Sequence, residues 1–201
     1  MASTIDFYFD FSSPYGYFAA MRIDALAAKY GRDVEWHPIL LGVVYQTTGS
    51  APSPMVPLKG PYALHDFERT ARFHGIPFKL PTAFPLATQA AARAMLWIDR
   101  THGAERAVAF AKALYQAYFA EDLHIGEPMN VVKIGADLGL DPHALSEGMN
   151  SALIRDQLRA EIKLAMARGV FGSPFVIIDG EAFWGFDRVE QIEALLKNGK
   201  I

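Results

Sequence analysis

Apolar and polar positions alternate at the start of the chain, with Ile5, Phe7, Phe9 and Phe11 interleaved with Asp6, Tyr8, Asp10 and Ser12. A period of two predicts a strand with one face in a core. The pattern stops at Ser13-Pro14, where a side chain able to cap and a proline at the first helical position predict a helix to Tyr30, closed by Gly31. Val34 to Leu41 is apolar-rich and predicts a second strand, which completes a right-handed βαβ unit if the two strands are parallel. Gly42 to Pro61 is dominated by Gly, Pro, Ser and Thr, which predicts a long surface loop beside whatever the fold binds.

Helical spacing or helix-start signals then mark Tyr62–His74, Ala87–Thr101, Ala104–Glu121, Pro128–Leu138, Pro142–Gly148 and Ser151–Arg168. Pro128 and Pro142 suit first helical positions, and Asp141 suits the cap of the second. Between the first two helices, Gly75–Pro85 holds Pro77, Pro81 and Pro85 and predicts another loop. Pro174–Ile178, Asp179-Gly180 and Glu181–Trp184 read as strand, turn and strand of a hairpin. After Gly185–Asp187 a last helix places Val189, Ile192, Leu195 and Leu196 on one face.

Half of the 201 residues are apolar, enough to fill a core, and a net charge of -3 with both signs interspersed argues against a nucleic-acid or acidic-membrane partner. The absence of cysteine removes disulfides, thiolate metal sites and any protein thiol nucleophile, so thiol chemistry must be borrowed. Met1 to Asp10 lacks a basic region followed by an apolar run, and no stretch approaches the roughly 20 apolar residues of a membrane span, so a soluble, cytoplasmic protein is expected. The six histidines show no ligand spacing, which gives no metal site, and no hydrolase elbow, dinucleotide fingerprint or phosphate loop is present.

The order βαβ, helices, ββα is that of a thioredoxin-like α/β domain, formed by 1–60 and 170–201, with a helical insertion domain, 61–169, between its halves. Ser13-Pro14-Tyr15-Gly16 stands where DsbA-like oxidoreductases carry Cys-Pro-x-Cys, and Gly172-Ser173-Pro174 where that fold keeps a cis-proline. With Gly185-Phe186-Asp187-Arg188, these motifs resemble the kappa-class glutathione transferases and the 2-hydroxychromene-2-carboxylate isomerases over nearly the whole chain.

The resemblance implies glutathione as cofactor, a homodimer, and a small aromatic substrate. It implies that Ser13 holds the bound thiolate, and that Ser173, Pro174, Trp184, Gly185, Phe186 and Asp187 surround the tripeptide. Physical roles fit: a helix start offers donors to an anion, a residue before a cis-proline offers a backbone edge to a peptide, and Asp187 at a helix start suits an ammonium or a cap. The bland readings are that Ser13 is only an N-cap, Pro174 only starts a strand and Asp187 only caps. For the substrate, the isomerase pattern places a lysine after the second strand and an Asn-Arg pair in the next loop. The aligned positions here are Tyr45, and Pro54 with Met55, which cannot pair a carboxylate as cations do, although Lys59 is near. Phe84, with Tyr15 and Tyr45, is a further candidate for an aromatic pocket, whereas Tyr17 and Phe18 read as core.

The implied reaction is glutathione-dependent cis-trans isomerisation of 2-hydroxychromene-2-carboxylate, or a similar hemiketal acid, to trans-o-hydroxybenzylidenepyruvate. The alternatives are a kappa-type transferase, which would consume glutathione, and a noncatalytic thioredoxin-like peptide-binding module, which would not turn over at all.

Overall fold

The structure, a computed structural model, describes residues 4–201. The start of the Met1–Asp10 stretch and of the 1–60 segment lies outside the described residues. Four strands form one sheet of order β2-β1-β3-β4, made of β1 (Ile5–Phe9), β2 (Val34–Pro38), β3 (Phe175–Ile178) and β4 (Glu181–Trp184). β1 pairs in parallel with β2 and antiparallel with β3, and the β3–β4 hairpin turns on Asp179 and Gly180, both at positive φ. This is the thioredoxin-like order expected, with helices standing between β2 and β3 in the chain.

Besides a short helix close after β2, they are α4 (Lys59–His74), α5 (Gln89–His102), α6 (Ala104–Phe119), α7 (Pro128–Asp137), α8 (Pro142–Met149) and α9 (Ala152–Ala167). Asp141 caps α8 by accepting from the Ala144 N–H at 2.7 Å, and Ser151 caps α9. The last helix, α10 (Val189–Asn198), buries Ile192 and Leu195.

Three expectations change. The first helix is two, α1 (Pro14–Ala20) and α2 (Ile23–Lys29), broken at Met21-Arg22, where the Arg22 guanidinium is drawn to the His74 carbonyl at the end of α4, 2.8 Å away. The second strand stops at Pro38, and the expected loop after it contains α3 (Leu41–Thr48), a 3-10 turn (Ser53–Met55) and the first turn of α4. Finally, β1 is buried on both faces. Ile5, Phe7 and Phe9 join one apolar cluster with α1, α5 and α6, while Tyr8 joins another with Ile154 and Leu158 of α9. A central strand covered by helices on both sides has no face left for solvent.

Candidate active site

At the end of β1 the chain turns sharply, and the Ser13 N–H donates to the Asp10 carbonyl at 2.9 Å. Ser13 is extended (φ -96, ψ 114), and Pro14, which has no N–H to leave unpaired, opens α1. The buried Ser13 hydroxyl accepts from the Gly16 N–H at 3.0 Å and donates to the Ser173 carbonyl at 2.9 Å. Ser173 in turn accepts the Asp10 N–H on its Oγ at 3.0 Å, and its bond to Pro174 is cis. The corner closes with the Gly185 N–H donating to the Pro174 carbonyl at 3.1 Å. A β-carbon on Gly16 would stand 2.7 Å from Ser173 Oγ and 2.8 Å from Tyr115 Oη, so only glycine lets α1 approach this closely. In the first turn of α1 the Tyr15 N–H has no hydrogen-bond partner among the described residues, which leaves it as an open donor beside the Ser13 hydroxyl.

Beneath this corner lies Asp10, 4% exposed. Oδ1 accepts from the Ser12 N–H at 2.8 Å and the Thr88 hydroxyl at 2.9 Å, and Oδ2 accepts from the Leu41 N–H at 2.6 Å. Its main-chain carbonyl also takes the Tyr115 hydroxyl at 2.9 Å. Burial pushes the Asp10 carboxyl up from its ordinary value, opposed by the bonds from Ser12, Leu41 and Thr88. The same charge, after burial, raises Tyr45 and Tyr115.

Residues 4–197 match the DSBA-like thioredoxin domain. The chain belongs to that family. It is 32% identical over 199 residues to 2-hydroxychromene-2-carboxylate isomerase of Sphingobium xenophagum, covering 98% of this chain and 99% of that one. It is 26% identical to glutathione S-transferase kappa 1 of Caenorhabditis elegans, covering 96% and 90%. A solved 2-hydroxychromene-2-carboxylate isomerase superposes with a TM-score of 0.86 at 27% identity, over 97% of this chain and 95% of that chain.

Within this DSBA-like domain, Ser13, Ser173, Pro174 and Gly185 meet in one corner, while the other singled-out residues are spread around it. Trp184, on the edge strand β4, is half exposed, lies flush on Gly172 and meets the Phe171 ring at 5.0 Å. Phe186 is turned inward against Phe18, with ring centroids 5.7 Å apart. Asp187 does not cap α10. It sits in a 3-10 turn (Phe186–Arg188) one residue before the N-cap position, which Arg188 occupies, and its exposed carboxylate pairs with Arg188 at 3.2 Å.

Tyr45 lies on α3, half-buried, and Pro54 and Met55 form the 3-10 turn, whose Pro54 carbonyl abuts Gly60. Phe84 packs edge-on against Phe67, which also meets Tyr15 at 5.0 Å, so a file of rings runs from the 77–85 loop to the start of α1. Tyr17 and Phe18 are core, as expected.

Sequence reading missed Asp10, Thr88 and Tyr115 as parts of the site, since Asp10 looked like a surface position of a half-buried strand. It also missed a polar cluster behind the sheet. There His37 meets Asp6 at 3.2 Å and Glu161 at 3.3 Å and stacks on Tyr8, while Arg168 bonds Asp6 and the Tyr8 hydroxyl. Potential ligand atoms of Asp6, Glu35 and His37 lie within 4.8 Å of one another, a grouping made by strand pairing that no linear spacing signals. Among the described residues no helix is long and apolar enough to cross a membrane.

Proposed function

We propose that the protein is a glutathione-dependent cis-trans isomerase acting on 2-hydroxychromene-2-carboxylate or a similar aromatic hemiketal acid, in a cytoplasmic homodimer. The observation that carries the reading is the Ser13 corner. In a chain without cysteine, a buried hydroxyl and an open backbone N–H flank the position of a thioredoxin-type thiol, and full-length relatives bear the isomerase name. When bound, glutathione supplies the sulfur that adds reversibly to a conjugated carbon, allows rotation and leaves unchanged.

The protein's own part is positioning and charge stabilisation. Ser13 re-aims its proton from the Ser173 carbonyl to the sulfur, and the Tyr15 N–H gives a second bond, so the anion is favoured over the thiol. α1 has seven residues, so these two local donors matter more than a macrodipole. Ser173 offers its backbone to the tripeptide, and Asp187 faces solvent where the tripeptide's ammonium can reach it. The half-buried Tyr45 and Phe84, with Pro54 and Met55, form the wall for the aromatic part. Burial and the Asp10 charge both raise Tyr45, which therefore stays a neutral donor toward the substrate carboxylate.

The test follows the chromene absorbance with and without glutathione, with a thiol assay run in parallel. Isomerisation that needs glutathione yet leaves its thiol count unchanged is expected, and turnover at the same rate without glutathione overturns the reading. Stoichiometric thiol loss with an electrophile, and no isomerisation, would favour the transferase reading, which the kappa-class relatives support.

A further inference from the structure

The polar cluster behind the sheet is built by strand register. β1 and β2 pair in parallel with Asp6 opposite Glu35 and Tyr8 opposite His37, so the period of two gathers these side chains on one face, at the edge that β2 forms. His37 stacks on Tyr8 with ring centroids 4.6 Å apart, which fixes the plane of the imidazole. Its Nδ1 meets Glu161 of α9 at 3.3 Å, and its Nε2 meets Asp6 Oδ1 at 3.2 Å. Arg168 takes Asp6 Oδ2 at 2.6 Å, which leaves Oδ1 to face the imidazole. Glu35 is exposed, has no hydrogen-bond or ion-pair partner among the described residues, and brings a carboxylate oxygen within 4.8 Å of ligand atoms of both Asp6 and His37.

We propose that Asp6, Glu35 and His37 form a binding site for a divalent cation of the zinc class, separate from the Ser13 corner. Around a neutral imidazole, the carboxylates of Asp6, Glu35 and Glu161 and the guanidinium of Arg168 leave a local charge of about -2, which a dication cancels. The imidazole sets this group apart from an acidic patch, since one nitrogen with two carboxylate oxygens suits zinc, whereas magnesium and calcium favour oxygen alone. At zinc–ligand bonds of about 2.0 to 2.1 Å the edge of a tetrahedron is about 3.3 Å, close to the spacing already held between Asp6 Oδ1 and His37 Nε2. Glu161 then accepts the Nδ1 proton, as outer carboxylates do for the histidines of zinc sites. Glu35 closes in from the solvent side, and water completes the fourth position. In the metal-free chain a protonated imidazole answers the same carboxylates, so metal and proton exchange at one nitrogen. Bound metal ties the edge strand β2 to the central strand β1.

The test is calorimetric titration of the whole chain with zinc chloride at about pH 8, after chelator treatment and in a non-chelating buffer free of glutathione, with thermal unfolding alongside. The parent should bind about one equivalent saturably, with a Tm that climbs as zinc is added. His37→Asn and Asp6→Asn should each raise the dissociation constant about tenfold or more, and Glu161→Gln, which removes only the outer partner, should also weaken binding about tenfold. Glu35→Gln, at an exposed position, gives the same contrast if the others fold poorly. His143→Gln removes the imidazole of an exposed histidine–glutamate pair on α8 and should leave zinc binding unchanged. Magnesium chloride should bind at least about tenfold more weakly than zinc. The proposal is overturned by the absence of saturable zinc binding, by equal affinity in the parent and the Asp6, Glu35 and His37 variants, by loss of binding in His143→Gln, or by magnesium binding as tightly as zinc.

Discussion

Ser13→Ala deletes two bonds at once, the acceptor of the Gly16 N–H and the donor to the Ser173 carbonyl. Losing the cap costs about 1 kcal/mol, and leaving the buried carbonyl unpaired costs about 1 kcal/mol more. Unfolding in denaturant should therefore shift by about 2 kcal/mol, which a domain of ordinary stability survives. The rate should suffer more. One oriented donor to an anion is worth about 2 to 4 kcal/mol of barrier, or roughly 30- to 1000-fold in kcat/KM, and the loss stays partial because the Tyr15 N–H remains. The bound thiol's pKa should rise in step, followed by thiolate absorbance in the glutathione complex. Asp141→Ala is the matched control, since it removes an N-cap of the same kind from α8, where Asp141 accepts from Ala144 at 2.7 Å, and should lower stability without touching turnover. If Ser13→Ala binds glutathione, keeps the thiol pKa and turns over at the parent rate, Ser13 is a cap and nothing else.

Gly16→Ala would drive a β-carbon against Ser173 Oγ and Tyr115 Oη, and should cost about 1 to 3 kcal/mol with near-complete loss of activity; a parent-like melting curve and rate would show that the corner gives way freely. Burial alone would lower the pKa of His37, but Glu161, Glu35 and Asp6 outweigh it and raise the imidazole above its ordinary value. Its ion-pair contribution is therefore complete below about pH 6.5 and fades as pH climbs through the raised folded value, so His37→Asn should lower Tm more at pH 6 than at pH 9. A deficit of the same size at both pH values would refute that coupling. Asp187→Asn, at a carboxylate 72% exposed, should leave stability within about 0.5 kcal/mol of the parent while weakening glutathione binding about two- to fivefold. Unchanged affinity in calorimetry would remove Asp187 from the site.

Legibility followed the range of the interactions. The β1 strand, the Ser13-Pro14 start and the Asp141 cap are set by signals within a few residues of what they control, and each stands where the sequence put it. α3 was unreadable because the group that meets its first N–H is the carboxylate of Asp10, thirty-one residues earlier, and its own residues include Gly42 and two threonines. The break at Met21-Arg22 carries no proline or glycine that would mark it in the sequence. For the site, the motif residues Ser13, Ser173 and Pro174 were visible as short words, whereas the buried support under them was not. An acid in an alternating strand reads as solvent-facing until the helices that cover it are known.

Asp10 is bonded to groups that lie 31, 78, 105 and 163 positions further along the chain, at Leu41, Thr88, Tyr115 and Ser173. No fragment ending before residue 173 can complete the arrangement. During synthesis the β1–α1 turn must wait, its acid held only by the Ser12 N–H, until residue 173 has left the ribosome. The Ser13 corner is thus assembled late and all together, once its most distant partner, Ser173, is in place. Loss of the Leu41 amide's protection from exchange should accompany global unfolding, not a local opening of the loop around it.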